Sequence, residues 1–453
     1  MYEGTSSQLF RTYAMPQMVG LLFNSIYIIV DGLFIGNRLG RDAMAAAAVG
    51  VPLVEILISL SMAIASGAGI LISSQIGRGE NGHAVRTFNV AVLTTAVIGI
   101  AIIGLGNLWI DEVAVALGST ARIHDEAVTY IRYIITFSPF LLYSYLLGGM
   151  VRNDGQPKLA MAALTAGSLS NIFLDYLFMY PLDMGIGGAA LATAVGPVLS
   201  DLILLPHFLL RRGDLLFARI HFRMRDVSHM FRFGFPSFIM EFTIGIITFI
   251  YNFAMRYYGF GEIGLAAYLV IGYLMLIILT LFLGFAEGLQ PVFSHFLGTG
   301  EEERSRDLRR FSVKVYLGVG IAAYLLVLLC SRGFYSLFTS GDRDLLDFME
   351  ARSRSYFSGF AFAGLNILMI SYWQSTQRTR QSLVVSLSRS LVFPPLFVCL
   401  LPRLFGSEAL WLCHSLGECL TAVIAYAMSR RLETERVDKR ESSLSGSGGK
   451  RLA

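Results

Sequence analysis

The chain has 453 residues, of which 55% are hydrophobic and only 15% charged, and its mean hydropathy is +0.60. Soluble globular domains carry about 25% charged residues, so this composition argues against a soluble protein and favours one that lies largely within a membrane. The formal net charge of +4 is small, and we expect no nucleic-acid partner.

Apolar segments long enough to cross a membrane as helices follow one another along the chain. In chain order they cover about residues 10–36, 44–76, 85–109, 127–151, 159–180, 186–210, 232–258, 263–296, 308–331, 353–374, 381–402 and 405–429. Gly-, Asn- and Pro-rich turn sequences separate several of them, for example at 77–82 and 153–157. We therefore predict an all-α integral membrane protein with twelve transmembrane helices.

Basic residues are distributed unequally between the loops that these spans define. With the N-terminus in the cytoplasm, 25 Lys and Arg residues fall on the inner loops and ends, and ten on the other face. Because Lys and Arg concentrate on the cytoplasmic side of membrane proteins, we expect both termini in the cytoplasm. The Ser- and Gly-rich segment 431–453 is expected to be a flexible cytoplasmic tail.

The sequence also repeats itself at long range. A Gly-x-Gly-Glu turn at 77–80, after the second span, recurs at 298–301, after the eighth. Pro16 and Gly40 recur as Pro236 and Gly259, so the offsets lie between 219 and 221 residues. Six spans return the chain to its starting side, so the repeat is parallel, as in transporters with a site between two halves. The predicted units are an N-terminal six-helix lobe at 1–210, a cytoplasmic linker at 211–231 and a C-terminal six-helix lobe at 232–430.

A few polar residues interrupt the apolar spans of the first half. Asn171 and Asp175 lie four residues apart in the fifth span and therefore share one helix face. Asp31 lies in the first span and Thr193 in the sixth. Ionisable groups inside a membrane are energetically costly and usually functional. We interpret these residues as a cluster that binds a cation and uses it to drive transport.

Several motifs together resemble the multidrug and toxic compound extrusion (MATE) family of the MOP flippase superfamily, and most closely its bacterial DinF-like branch. The similar segments are Val30 to Gly40, Ser74 to Gly79, Arg152 to Lys158, Asn171 to Asp175 and Gly187 to Thr193. The resemblance implies a V-shaped bundle of two six-helix lobes in a bacterial inner membrane that works as a monomer. It also implies an antiporter that exports bulky cationic or amphipathic, drug-like compounds in exchange for H⁺ or Na⁺, among membrane lipids and without a cofactor.

The same resemblance implies which residues couple transport to the cation. The matching positions for the cation site of the N-terminal lobe are Asp31, Tyr130, Asn171, Asp175 and Thr193, and Na⁺ would contact Asp31, Asn171 and Asp175. Other members of the family use a Glu on span 7 and an Asp on span 10. Glu241 matches the first, whereas the tenth span has no acidic residue and only Asn366 in its middle. Glu241, Asn366 and Met240 are therefore candidates for a substrate site or a second cation site.

Each of these residues also has a purely structural interpretation. Asp31 could be a solvated helix-end residue, Asn171 an interhelical hydrogen-bonding group, and Thr193 a partner of its own helix backbone. Glu241 could bond a nearby backbone group.

Three other functions compete with antiport. A lipid-linked oligosaccharide flippase would need several cavity arginines to hold pyrophosphate, but Arg389 is the clear mid-span arginine. A membrane enzyme would need a catalytic motif or a large extramembrane domain, and neither is evident, so we expect a protein that is not an enzyme. A passive channel is less consistent with two lobes that carry distinct polar sites.

Overall fold

The structure, a computed structural model, describes residues 2–219, 222–338 and 342–448, and within these ranges it is helical without strands. Seven helices form the first half of the chain. They are α1 (Ser6–Leu39), α2 (Arg41–Gly77), α3 (Asn81–Leu108), α4 (Ile110–Ala116), α5 (His124–Asn153), α6 (Pro157–Met179) and α7 (Gly185–Leu209). A single π-helical turn at Phe10–Ala14 lies inside α1, directly before Pro16.

Seven further helices form the second half. They are α8 (Met224–Tyr257), α9 (Gly261–Thr299), α10 (Glu302–Ser336), α11 (Arg343–Phe357), α12 (Phe360–Ser375), α13 (Thr379–Phe405) and α14 (Cys413–Gly448). Within the described residues, eleven helical segments are long and apolar enough to cross a membrane. The prediction of an all-α, multi-pass membrane protein is thus confirmed, and eleven of the twelve predicted spans are single helical segments.

The predicted tenth span, 353–374, is the exception, because it is divided between α11 and α12. The break lies at Ser358–Gly359, where Ser415 of α14 packs against the chain. The Gly359 N–H donates to Ser415 Oγ at 2.8 Å, and Ser415 Oγ donates to the Tyr356 carbonyl at 2.7 Å. These bonds satisfy backbone groups that a continuous helix would have paired internally. With 16 residues, α12 alone is shorter than the roughly 20 residues of a simple span.

The long-range sequence repeat corresponds to a repeated backbone conformation. Gly79 and Gly300 adopt φ angles of +74° and +75°, and Gly40 and Gly259 adopt +84° and +82°. Residues with a side chain rarely adopt this left-handed conformation, and glycine adopts it without steric cost. Gly77 lies against Gly298, and Arg86 of α3 pairs with Asp226 near the start of α8. The turns at Gly79 and Gly300 therefore lie at the same end of the bundle as the start of α8, and we call this end the linker end.

The two halves touch closely at the linker end. Gly67 of α2 lies against the Met230 carbonyl of α8, and Gly234 of α8 lies against the Ala63 backbone. A Cβ at either glycine would collide with backbone atoms, so only glycine permits this approach of the two helices. Further along α8, by contrast, a Cβ at Gly245 would have no heavy atom within 4 Å. The backbones of α2 and α8 are thus in direct contact at Gly67 and Gly234.

Helix α1 takes part in both halves. Its N-terminal residues Leu9, Phe10 and Tyr13 belong to the large buried cluster that is otherwise built from α8 to α14. Ile35, near its other end, belongs to a cluster formed by α1, α2, α5, α6 and α7. A movement of α1 would therefore be felt in both cores.

Candidate functional site

The five residues that the family resemblance implies for a cation site lie on four helices of the first half. Asp31 is on α1, Tyr130 on α5, Asn171 and Asp175 on α6, and Thr193 on α7. The structure brings them together. The carboxyl groups of Asp31 and Asp175 lie within electrostatic range of each other, and Tyr130 lies within electrostatic range of both and close to Thr193. Asn171 and Thr193 line one cavity.

The polar atoms of this cluster are buried and largely without partners. Asp175 is fully buried, and Asn171 is only 2% exposed. Both carboxylate oxygens of Asp175, Oδ1 of Asp31, Oγ1 of Thr193 and both polar side-chain atoms of Asn171 have no hydrogen-bond partner. Buried polar atoms are almost always hydrogen-bonded, and two carboxylates cannot bond each other unless one holds a proton. A proton or a cation between the oxygens would supply the missing interaction.

Glycines let the surrounding helices approach closely enough to form the cluster. A Cβ at Gly50 of α2 would lie 2.6 Å from the Tyr130 ring. A Cβ at Gly167 of α6 would lie 2.8 Å from the Gly196 carbonyl of α7. Since Gly167 is one turn before Asn171, this contact holds the polar face of α6 against α7. The Gly- and Ala-rich sequence of the sixth span thus serves helix packing at the site.

A cavity adjoins the cluster, and Asn171 and Thr193 form part of its wall. Its wall is mostly apolar, with aromatic side chains such as Tyr27, Phe137 and Tyr145 and a few polar groups, among them Asn24 and Asn171. Small-molecule sites are typically concave and mostly apolar, with few polar groups that fix orientation. The cavity therefore has the character of a ligand site that contacts the cation cluster directly.

Three further polar residues within the spans of the first half were not identified from the sequence. Tyr27, one turn before Asp31 on α1, lies within electrostatic range of both Asp31 and Asp175. Glu55 in α2 interacts electrostatically with Tyr27, and Asp201 in α7 is buried with an unpartnered Oδ1. Both acidic residues lie within predicted spans, so the criterion that identified Asp175 would have found them.

The three candidates in the second half do not form one site. Glu241, on α8, lies within electrostatic range of Glu55 and of Arg389. Its neighbour Met240 lines a small pocket between the two halves. Asn366, on α12, is fully buried elsewhere and bonds to α14. The Asn366 amide is thus engaged by another helix, and a role of Glu241, Asn366 or Met240 in binding substrate or a second cation stays a prediction.

The partner of Asn366 is Glu418 of α14, which is the centre of a buried polar group. Asn366 Nδ2 donates to Glu418 Oε2 at 2.8 Å, and Arg389 Nε donates to Glu418 Oε1 at 2.6 Å. His414 Nε2 lies 3.9 Å from the same Oε1. Arg389 sits in a π-helical turn, Ser388–Val392, inside α13. The carboxylate beside Asn366 thus comes from the last span and is already paired with an arginine.

Known proteins of similar length resemble the chain over nearly its whole extent. The multidrug export protein MepA of Staphylococcus aureus strain MSSA476 is 22% identical over 446 residues, which cover 96% of this chain and 97% of MepA. The outward-facing structure of a multidrug resistance MATE family transporter of the MOP superfamily superposes with a TM-score of 0.90 at 20% identity, covering 96% of this chain and 97% of that one. A MOP superfamily transporter from Pyrococcus furiosus, described by a binding pocket of reversed polarity, gives a TM-score of 0.88 at 20% identity, with 94% and 96% covered.

The model of the MatE family matches the chain twice, at residues 16–177 and 236–398. The second match begins 220 residues after the first, which agrees with the spacing of the repeat seen in the sequence. Together the two matches cover well over half of the chain. Placement in the DinF-like branch stays a prediction. The chain belongs to the MatE family, the multidrug and toxic compound extrusion (MATE) transporters.

Proposed function

We propose that this transporter exports bulky cationic or amphipathic compounds in exchange for H⁺ or Na⁺ by alternating access, and that it is not an enzyme. One observation carries the coupling part of this proposal. Asp175 is fully buried close to the partly buried Asp31, and both oxygens of Asp175 and Oδ1 of Asp31 lack a hydrogen-bond partner. An unpaired buried charge is strongly unfavourable, so the pair favours a state that holds a proton or a cation.

The donor set suits either coupling ion. Two interacting carboxylates share protons and titrate as a pair rather than as separate groups. Alternatively, the oxygens of Asp31, Asn171 and Asp175 are hard ligands of the kind that Na⁺ prefers, with Tyr130 and Thr193 beside them. In the described residues, no group of three or more His, Cys, Asp or Glu side chains forms a metal site. We propose that the coupling ion is the sole inorganic ligand that transport needs.

The proposed substrates are small drug-like molecules. The adjoining cavity offers aromatic walls and a few polar groups next to the carboxylates, which suits an amphipathic cation. The relative MepA is described as a multidrug export protein. For the cation to drive export of the drug by alternating access, drug and cation must, by linkage, weaken each other's binding.

The proposed setting is a bacterial inner membrane, with lipids around a working monomer. The linker end, which carries most of the basic loops, would face the cytoplasm. The halves 1–210 and 232–430 would move as two lobes about the linker at 211–231, and the tail at 431–453 would lie in the cytoplasm.

A flippase for lipid-linked oligosaccharides has less support. Such a cargo needs arginines that are available to pyrophosphate. The buried arginines Arg389 and Arg152 each face a carboxylate instead, at Glu418 and Glu287 respectively.

The test is efflux from proteoliposomes that contain purified protein and ethidium. A proton gradient and a sodium gradient are imposed separately, on the parent protein, on Asp175→Asn and on Asp183→Asn. Asp183 is a matched control because it is an exposed aspartate paired with Arg38 at the end of α6. We expect one gradient to drive efflux in the parent and the control but not in Asp175→Asn. Efflux that Asp175→Asn retains in full would contradict the proposed coupling.

A further inference from the structure

One residue of the other half lines the cavity beside the cation cluster. All of its lining residues lie between Gln17 and Leu204 except one, Glu287 of α9. Gly284 and Gly288 flank Glu287 and lie directly against the backbone of α1. A Cβ at either glycine would collide with that backbone, so glycine is what allows α9 to pack this closely on α1. This packing places the Glu287 carboxylate in a cavity of the first half.

Glu287 is fixed there by two residues of the first half. Gln17 Nε2 of α1 donates to Glu287 Oε2 at 2.7 Å. Arg152 Nη2, near the C-terminus of α5, lies 3.5 Å from the same oxygen, and both charged side chains are at least 85% buried. Gln17 is 2% exposed, lines the cavity, and its Oε1 has no partner. The three side chains therefore form a polar plug at this end, and we call them the Glu287 plug.

The plug and the cation cluster lie along one face of α1. Gln17, Leu21, Asn24 and Tyr27 all line the cavity, and their spacing of three or four residues places them on a single stripe. Asp31 continues the same stripe, about 21 Å from Gln17 at 1.5 Å per residue. At the other end of the cavity wall, Asn171 and Thr193 belong to the cation cluster. One continuous space thus joins the two groups.

We propose that the Glu287 plug is the gate through which the coupling ion leaves toward the linker end. While α9 lies on α1, Glu287 blocks the cavity and the ion cannot exchange with that side. When the two halves separate there, Glu287 is withdrawn with α9 and the cavity opens. Because the gate is carried by the half that does not bind the ion, ion release and separation of the halves become one event.

This inference rests on the proposed cation site, and its test uses an ion leak without any drug. Proteoliposomes with a trapped pH-sensitive dye receive a proton gradient, and a parallel set receives a sodium gradient with radioactive sodium as tracer. The variants are Glu287→Ala, Glu287→Ala with Asp175→Asn, and the charge exchange Arg152→Glu with Glu287→Arg. Glu350→Ala is the matched control, since Glu350 is paired with exposed Arg332 far from the cavity.

We expect the coupling ion to leak faster through Glu287→Ala than through the parent. The leak rate should rise in proportion to the population of the open state. Couplings between sites usually change such populations about 5- to 150-fold. The leak should vanish when Asp175→Asn is added, because the ion must pass the cluster, and the charge exchange should restore most of the closure. A leak that survives Asp175→Asn, or an unchanged leak in Glu287→Ala, would overturn the proposal.

Hydrogen exchange of the backbone separates this inference from the proposed antiport. If the parent drives no efflux under either gradient, the antiport proposal fails, yet the plug can still be examined. Faster exchange around residues 284–288 in Glu287→Ala, reversed in the charge exchange, would support Glu287 as the group that holds α9 on α1. Equal exchange in parent and variant would overturn it. If Glu287→Ala does not fold, Glu287→Gln, which keeps the size but loses the charge, replaces it in both measurements.

Discussion

Replacing Gly234 by Ala tests whether the close contact between α2 and α8 stabilises the state that is closed at the linker end. The new Cβ would lie 3.0 Å from Ala63 Cα and 2.7 Å from the Ala63 carbonyl carbon, whereas carbon atoms in contact are about 3.5–4.0 Å apart. The obstacle is backbone, which cannot rotate away, so the two helices must separate.

The expected cost follows from the energetics of overpacking. Forcing an extra methyl group into a close-packed contact usually costs about 1–3 kcal/mol. If that cost falls on the closed state alone, the closed-to-open ratio drops by about 5- to 150-fold. The same substitution at Gly245, on the same helix but with open space around it, should cost nothing and can gain up to about 1 kcal/mol from helix propensity.

Hydrogen exchange of peptides that cover residues 60–70 and 230–237 measures the opening, and thermal unfolding in detergent measures overall stability. We expect faster exchange in both segments for Gly234→Ala and parent-like exchange for Gly245→Ala. Parent-like exchange in Gly234→Ala would mean that this contact does not hold the two helices together.

Three further predictions concern other parts of the fold. Glu418→Gln should lower stability by about 3–5 kcal/mol, because it leaves Arg389 buried without its charge partner. Glu350→Gln removes a charge from an exposed ion pair and should change stability by only about 0–1 kcal/mol. Equal shifts of the unfolding midpoint in the two variants would contradict the argument from burial. Gly300→Ala should lower the stability of the fold by about 1–2 kcal/mol, because alanine is strained at a φ of +75°. Gly82→Ala, at an ordinary helical position with open space around it, should leave stability unchanged. An equal loss of stability in both variants would exclude backbone strain as the cause. The Arg304 side chain bonds Glu301 in the turn after α9 and holds the pKa of that carboxyl below its usual range. The ion pair therefore stabilises the folded protein at pH values above the unfolded pKa of about 4.3. This stabilisation is lost as the pH falls through the lower pKa of the folded state. Acid unfolding of Glu301→Gln should accordingly be less steep in this range than that of the parent, and identical acid profiles would show that the pair does not contribute.

The sequence predicts the features that depend on spacing along one chain segment. Periodic apolar segments locate the membrane helices, and the repeat spacing pairs Gly79 with Gly300, which indeed share one backbone conformation. A spacing of four residues likewise places Asn171 and Asp175 on one face. These features follow from helix geometry and glycine stereochemistry, which are local.

Features that depend on contacts between distant helices are not evident from the sequence. The break in the tenth span is satisfied by Ser415, which lies 56 residues after Gly359. The amide of Asn366 bonds to Glu418, 52 residues further along the chain. The residues next to Asn366 in the sequence therefore do not indicate its hydrogen-bond partner. The role of Glu287 is likewise visible only once α9 is seen to lie on α1. In each case tertiary packing selects one partner among several that the sequence allows.

Direct ion binding is the sharpest test of the proposal that Asp31 and Asp175 hold the coupling ion. Calorimetric titration of purified protein with Na⁺ at fixed pH, together with proton uptake on an acid pulse, detects either ion without requiring transport. We expect one binding event in the parent and in Asp183→Asn, and its loss in both Asp31→Asn and Asp175→Asn. Binding that persists in both of those variants but disappears in Glu241→Gln would contradict the account and place the coupling site in the second half.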